Sequence, residues 1–166
     1  MVSTKLKKSS KTVSPDTLGN KNVQLVSVAK AIILDADNQM LVLRRSNTHP
    51  TLAEQSDLPG GIIDAGEEPG TALIREILEE TGLVINFADL ELVYTGTEVF
   101  GSSYSRLLYV VKLTSAQPAI KLSFEHDQFM WHPVAELAEI EKDYIPFYAQ
   151  AFDYLIKHKI LDSYTT

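Results

Sequence analysis

Apolar residues gather into a few dense runs separated by polar, turn-rich stretches. Residues 23–34 (VQLVSVAKAIIL) are almost continuously aliphatic and rich in β-branched side chains. Such a run predicts a strand covered on both faces. Asp35-Ala36-Asp37-Asn38 has turn chemistry. Residues 39–45 (QMLVLRR) predict a partner strand, making a hairpin central in a sheet and closed by Arg44 and Arg45. A polar loop follows over 46–57. Residues 90–100 and 104–113 predict two more strands around a Gly101-Ser102 turn. Residues 124–131 predict a short strand and 133–139 a brief helix. Pro146 opens a C-terminal helix reaching to about residue 159.

Between these runs, residues 58–84 read LPGGIIDAGEEPGTALIREILEETGLV. Two glycine turns precede a helix that Gly82 stops. At about 100° per residue, with Glu76 at zero, Glu80 falls near +40°, Glu79 near −60° and Arg75 near −100°. Leu73, Ile77, Ile74 and Leu78 occupy the arc from about 60° to 200°. One side is therefore apolar and can dock on a core. The other gathers three carboxylates and a guanidinium, with the small Ala72 among them. Like charges 4 Å apart repel by about 4 kcal/mol at an effective dielectric near 20. Glu79 and Glu80 also sit at the negative end of the helix dipole, at a cost of about 0.3–1 kcal/mol each. Two readings fit: a solvated acidic face, or a set of hard oxygen ligands for Mg²⁺ or Mn²⁺.

Composition narrows the class. The chain has 166 residues, 45% hydrophobic and 22% charged, as expected of one globular domain over residues 23–166. It has no cysteine, which removes disulfides, thiol catalysis and thiolate-bound zinc and fits a cytoplasmic protein. No apolar run reaches the length of about 18 residues that a membrane span needs. Residues 1–22 hold five lysines against Asp16 alone, a net +4, so the rest carries −11 of the overall −7. That first segment lacks periodicity and reads as a flexible basic tail without the apolar core of a secretory signal. The acidic body argues against a broad nucleic-acid surface.

The spacing now carries a resemblance. Gly61, five residues, Glu67, seven residues, Arg75-Glu76-Ile77, one residue, Glu79-Glu80, one residue, Gly82-Leu83 is similar to the Nudix hydrolase signature at every fixed position. With each residue type at about 5–7%, seven such identities coincide about once in 10⁸–10⁹ windows, so chance is set aside. The resemblance implies an α/β fold, an α/β/α sandwich around a mixed sheet, and metal-assisted hydrolysis of a phosphoanhydride attached to a nucleoside diphosphate. By position, Glu76, Glu79 and Glu80 resemble the metal-binding glutamates, and Gly61 the site that lends a main-chain carbonyl. Glu67 and Arg75 resemble the pair that orients the loop–helix scaffold. A glutamate outside the signature is expected as base or ligand, Glu125 first and Glu98 second.

The run 39–61, with Arg44-Arg45, His49 and Pro59-Gly60-Gly61, further resembles the MutT-type branch, which hydrolyses oxidised purine nucleoside triphosphates. By that match Arg44 would touch phosphate or base, and Arg45 and Arg106 are the other candidate substrate contacts. The resemblance implies a nucleotide partner and a nucleoside triphosphate giving monophosphate and pyrophosphate. ADP-ribose, NDP-sugars, dinucleoside polyphosphates and RNA 5′ ends are the alternatives. A nucleotide-binding regulatory module is the non-enzymatic one. Monomer and homodimer both stay open.

Overall fold

The computed structural model describes residues 25–100, 102–137 and 146–165. The expected tail at 1–22, the Gly101 turn and the end of the 133–139 helix lie outside them. The elements are β1 (Leu25–Leu34), β2 (Gln39–Arg45), β3 (Ser56–Asp57), β4 (Gly60–Ile62) and α1 (Pro69–Thr81). β5 (Glu91–Phe100), β6 (Ser102–Lys112), β7 (His126–Pro133) and α2 (Pro146–Lys157) follow, with a last helical turn at Asp162–Thr165. Residues 134–136, expected in a helix, form a 3₁₀ turn.

Among the described residues, all seven strands join one mixed sheet. β1 runs parallel to β6 over ten residue pairs, from Leu25 with Ser103 to Leu34 with Lys112. β5 and β6 form an antiparallel hairpin. Alternate residues of β1 serve opposite faces. Ile32 and Leu34 join one core with α2, while Ala31 and Ile33 join the other with α1. That double burial explains why the β1 sequence shows no polar alternation. α2 meets the sheet through Tyr148, Ala151, Phe152 and Leu155, the i, i+3, i+4, i+7 stripe of an amphipathic helix. Phe152 has no exposed surface, so Phe152→Ala is expected to cost about 3–5 kcal/mol.

The expected β1–β2 hairpin holds only next to its turn, where Leu34 faces Met40. Beyond that point the strands part, and β2 pairs along its length with β7. The segment from Ser56 to Ile62 fills the opening. β3 pairs with β2 at Leu43 and Arg44, and β4 pairs with β1 at Val28 to Lys30. Ala31 N–H donates to Pro59 O at 2.9 Å, so the crossing segment is stitched to β1. This wedge sets the glycine turn and the polar end of β2 side by side.

Candidate active site

The wedge carries two glycines, Gly60 and Gly61, where there is no room for side chains. Gly60 has φ +123°, a region that L side chains rarely adopt. A Cβ there would also meet Leu73 Cδ1 at 2.9 Å. At Gly61 a Cβ would lie 2.5 Å from Glu76 Cδ. The Glu76 carboxylate and the main chain at Gly61 thus face each other directly.

α1 closes on this turn. Glu68 caps its start by accepting from Thr71 N, and Gly82 ends it in the left-handed conformation at φ 72°. The buried arc differs from the apolar arc of the sequence. It contains Gly70, Ala72, Leu73, Ile77, Glu80 and Thr81, which spans about −40° to +140° on the same wheel. The helix is turned toward the glycine wedge, where side-chain-free backbone lets it approach. Leu78 is left 47% exposed and Glu80 is carried inside at 5%. An open acidic face is therefore corrected: of the three glutamates, one is interior.

Glu80 Oε2 accepts from Gly60 N at 2.7 Å. Burial pushes its carboxyl up to about 7, against the pull of the Lys30 charge and His126, while Asp57 adds to the rise. Glu76 and Glu79 lie along Arg75 instead. Arg75 Nη1 is 2.8 Å from Glu76 Oε1 and 3.5 Å from Glu79 Oε2. Its Nε and Nη2 grip Glu67 at 3.1 and 3.0 Å, and Nη2 also reaches Ile62 O. One guanidinium therefore ties the loop before α1 to two of its carboxylates.

Behind the turn lies a buried polar cluster that the sequence did not reveal. Asp57 Oδ2 accepts from Lys30 Nζ at 3.1 Å and from Arg45 Nε at 3.0 Å. Its Oδ1 accepts from Tyr148 OH and Leu58 N at 2.9 and 2.8 Å. Burial alone would raise this carboxyl, but the Lys30 charge first, then the His126 imidazole and the Arg45 charge, hold it well below the usual carboxylate range. The one signal the sequence offers for the cluster is Lys30, a lone charge inside an aliphatic strand. Its partner lies 27 residues away, beyond the reach of local pattern.

The outer candidates scatter around this core. Arg44 makes a two-pronged pair with Asp127, at 2.8 and 2.7 Å, and is partly exposed. Arg45 faces inward to Asp57 and also reaches Thr51 O and His49 Nδ1, bracing the 46–55 loop. Arg106 is nearly buried, paired with Glu98 and stacked over the Tyr104 ring at 5.2 Å. Glu125 falls in the turn before β7, its main-chain oxygen accepting from Ser46 N. Its half-exposed carboxylate is 3.9 Å from His49 Nε2. The sites thus divide: Glu67, Arg75, Glu76 and Glu79 share one ion-pair network beside Gly61, Glu80 lies inside on Gly60, and Arg44, Arg106 and Glu98 are paired outside that network.

Among the described residues no three histidine or acidic side chains are already drawn into a cage for an ion. The donor chemistry nonetheless suits a hard divalent cation. Carboxylate oxygens and main chain meet across the side-chain-free gap at Gly61.

Comparison with known proteins decides the family. The NUDIX domain model matches residues 24–151. The chain belongs to this family. An ADP-ribose pyrophosphatase of Methanocaldococcus jannaschii is 36% identical over 72 residues, 43% of this chain and 41% of that protein. An 8-oxo-dGTP diphosphatase of Haemophilus influenzae is 37% identical over 67 residues, 40% of this chain and 48% of that one. The chain thus spans less than half the length of either Nudix relative. A MutT protein from Methanosarcina mazei shares the fold, with TM-score 0.71 and 21% identity over 84% of this chain and 98% of that one. The Nudix fold agrees with the sandwich described above. Among the described residues no helix is long and apolar enough to cross a membrane.

Proposed function

We propose that this Nudix chain is a divalent-cation-dependent pyrophosphohydrolase that cleaves a nucleoside triphosphate, oxidised purines included, to a monophosphate and pyrophosphate. The observation that carries the reading is Glu80, an interior carboxyl raised to about 7 and fixed beneath the Gly60-Gly61 turn. Strongly perturbed carboxyls cluster at functional sites, where burial and neighbouring charges are arranged to shift them. Glu76, Glu79 and Glu80, with the main chain at Gly61, would hold Mg²⁺ or Mn²⁺. Such an ion supplies charge neutralisation on the phosphates and an acidified water.

The protein's own groups account for the rest. A water oxygen attacks phosphorus, the P–O bond of the anhydride between the α- and β-phosphoryl groups breaks to leave monophosphate and pyrophosphate, and the water proton passes to a carboxylate. Glu125 is the proposed base, because its carboxylate is half exposed and lies 3.9 Å from His49 Nε2, whereas Glu98 is committed to Arg106. Arg75 holds Glu67, Glu76 and Glu79 in register. Arg44 is the proposed phosphate contact, reached by exchanging Asp127 for substrate. Arg106 is proposed to line the substrate cleft and Arg45 to brace its loop.

The name of the Haemophilus relative supports an oxidised purine triphosphate, and that of the Methanocaldococcus relative favours ADP-ribose as the second reading. A hydrolysis panel with Mg²⁺ and Mn²⁺ over canonical and oxidised triphosphates, ADP-ribose, NDP-sugars, dinucleoside polyphosphates and capped RNA tests both. Preference for a triphosphate, with pyrophosphate released, is expected. Tight nucleotide binding with no turnover would mean a regulatory module instead.

A further inference from the structure

His126 opens β7 and is buried, with 1% of its side chain exposed. Neither ring nitrogen has a hydrogen-bond partner. An unmade hydrogen bond in a low-dielectric interior is costly, so such a group asks for an explanation. The ring stands between two carboxylates. Nδ1 is 3.9 Å from Glu80 Oε1 and Nε2 is 4.0 Å from Asp57 Oδ2.

The two carboxylates differ in what they still need. Asp57 already accepts from Lys30, Arg45, Tyr148 and Leu58 N. Glu80 accepts from Gly60 N on Oε2, while Oε1 is the oxygen that faces the imidazole. The local strand geometry directs the ring there. The β2–β7 register shifts between Arg44 and Arg45, so Arg45 faces His126, Arg44 faces Gln128 and Asp127 is the extra residue. Such bulges re-aim side chains. Here the bulge leaves Asp127 outside on Arg44 and His126 inside.

We propose that His126 is a positioning residue for Glu80: its Nδ1–H closes on Glu80 Oε1 and, together with Gly60 N–H on Oε2, holds the carboxylate in one orientation beneath the glycine turn. A normal N–H···O distance lies about 1 Å inside the present separation, within reach of a small ring rotation. The imidazole acts through Glu80 and touches neither substrate nor the phosphorus. The inference rests on reading Glu80 as a working carboxylate.

Three variants of the full chain test it. Phenylalanine keeps the ring volume without nitrogens, asparagine keeps a nitrogen near the place of Nδ1, and glutamine keeps one near the place of Nε2. His126→Phe is expected to fold and to lower kcat by about 10–100-fold, the usual cost of losing an orienting partner, with KM little changed. His126→Asn should restore most of the rate and His126→Gln should not. Wild-type kcat in His126→Phe, or rescue by glutamine rather than asparagine, overturns the proposal. A second measurement is independent of turnover and of that variant folding. In metal-free wild-type protein, nitrogen-15 NMR should find a slowly exchanging proton on His126 Nδ1 that shifts in Glu80→Gln. A proton only on Nε2, insensitive to Glu80→Gln, also overturns it. If wild-type protein hydrolyses no substrate, the functional reading fails while the NMR result still decides the positioning role.

Discussion

Asp57 and Glu80 are both interior carboxylates, they lie on either side of His126, and their environments drive them in opposite directions. Asp57 is filled by donors from β1, β2 and α2 and stays ionised. Glu80 has one backbone donor and a raised carboxyl. Burial is common to both, so burial alone does not decide charge; the number and sign of partners does. A filled carboxylate serves as structural glue, and an under-filled one is available for chemistry.

Breaking the glue should have the largest effect. Asp57→Asn leaves Lys30 and Arg45 inside without their counter-charge, at an expected cost of about 3–5 kcal/mol in urea unfolding. A stable variant would mean that Asp57 does not hold the wedge. Next comes chemistry. Glu80→Gln should lower kcat about 10²–10³-fold, the scale of one lost electrostatic contact in a transition state. Its melting temperature should match or exceed wild type, since an under-satisfied carboxyl is removed.

The pH dependence sharpens the contrast, in protein kept metal-free by chelator. Glu80 binds its proton more tightly folded, at about 7, than at its ordinary 4.5. Its contribution is complete below pH 4.5 and is lost as pH rises through 7, by about 3 kcal/mol. Asp57 does the reverse: its contribution is present above its ordinary 3.8 and is lost on acidification. Wild-type stability should thus decline from pH 5 to 8, and Glu80→Gln should flatten that decline. An unchanged slope would contradict the raised carboxyl. The smallest effect belongs outside. Arg44→Ala should shift the melting temperature by no more than about 1 °C, as exposed sites do, and raise KM with kcat nearly unchanged.

Much of this was legible along the chain. The unbroken aliphatic run of β1 announced a strand covered on both faces, and the spacing from Gly61 to Gly82 announced the helix and its carboxylates. What stayed hidden was non-local. The sequence wheel centres the apolar arc of α1 about 80° away from the side that is buried, because Gly60 lies in another element and its missing side chain draws the helix over. Lys30, Asp57, His126 and Tyr148 come from four separated stretches, so no local period could join them. The β1–β2 hairpin misled for a related reason: its turn is local, but the partners of its far ends are not.

The parallel pairing of β1 with β6 implies an order of assembly. The β1–β2 turn closes a short loop and can form within microseconds, whereas registering β1 on β6 must gather the whole intervening chain, wedge and α1 included. Refolding followed by Trp131, which sits opposite Leu41 on β7, should therefore report a slow phase. Hydrolytic competence should return with that phase and never before it.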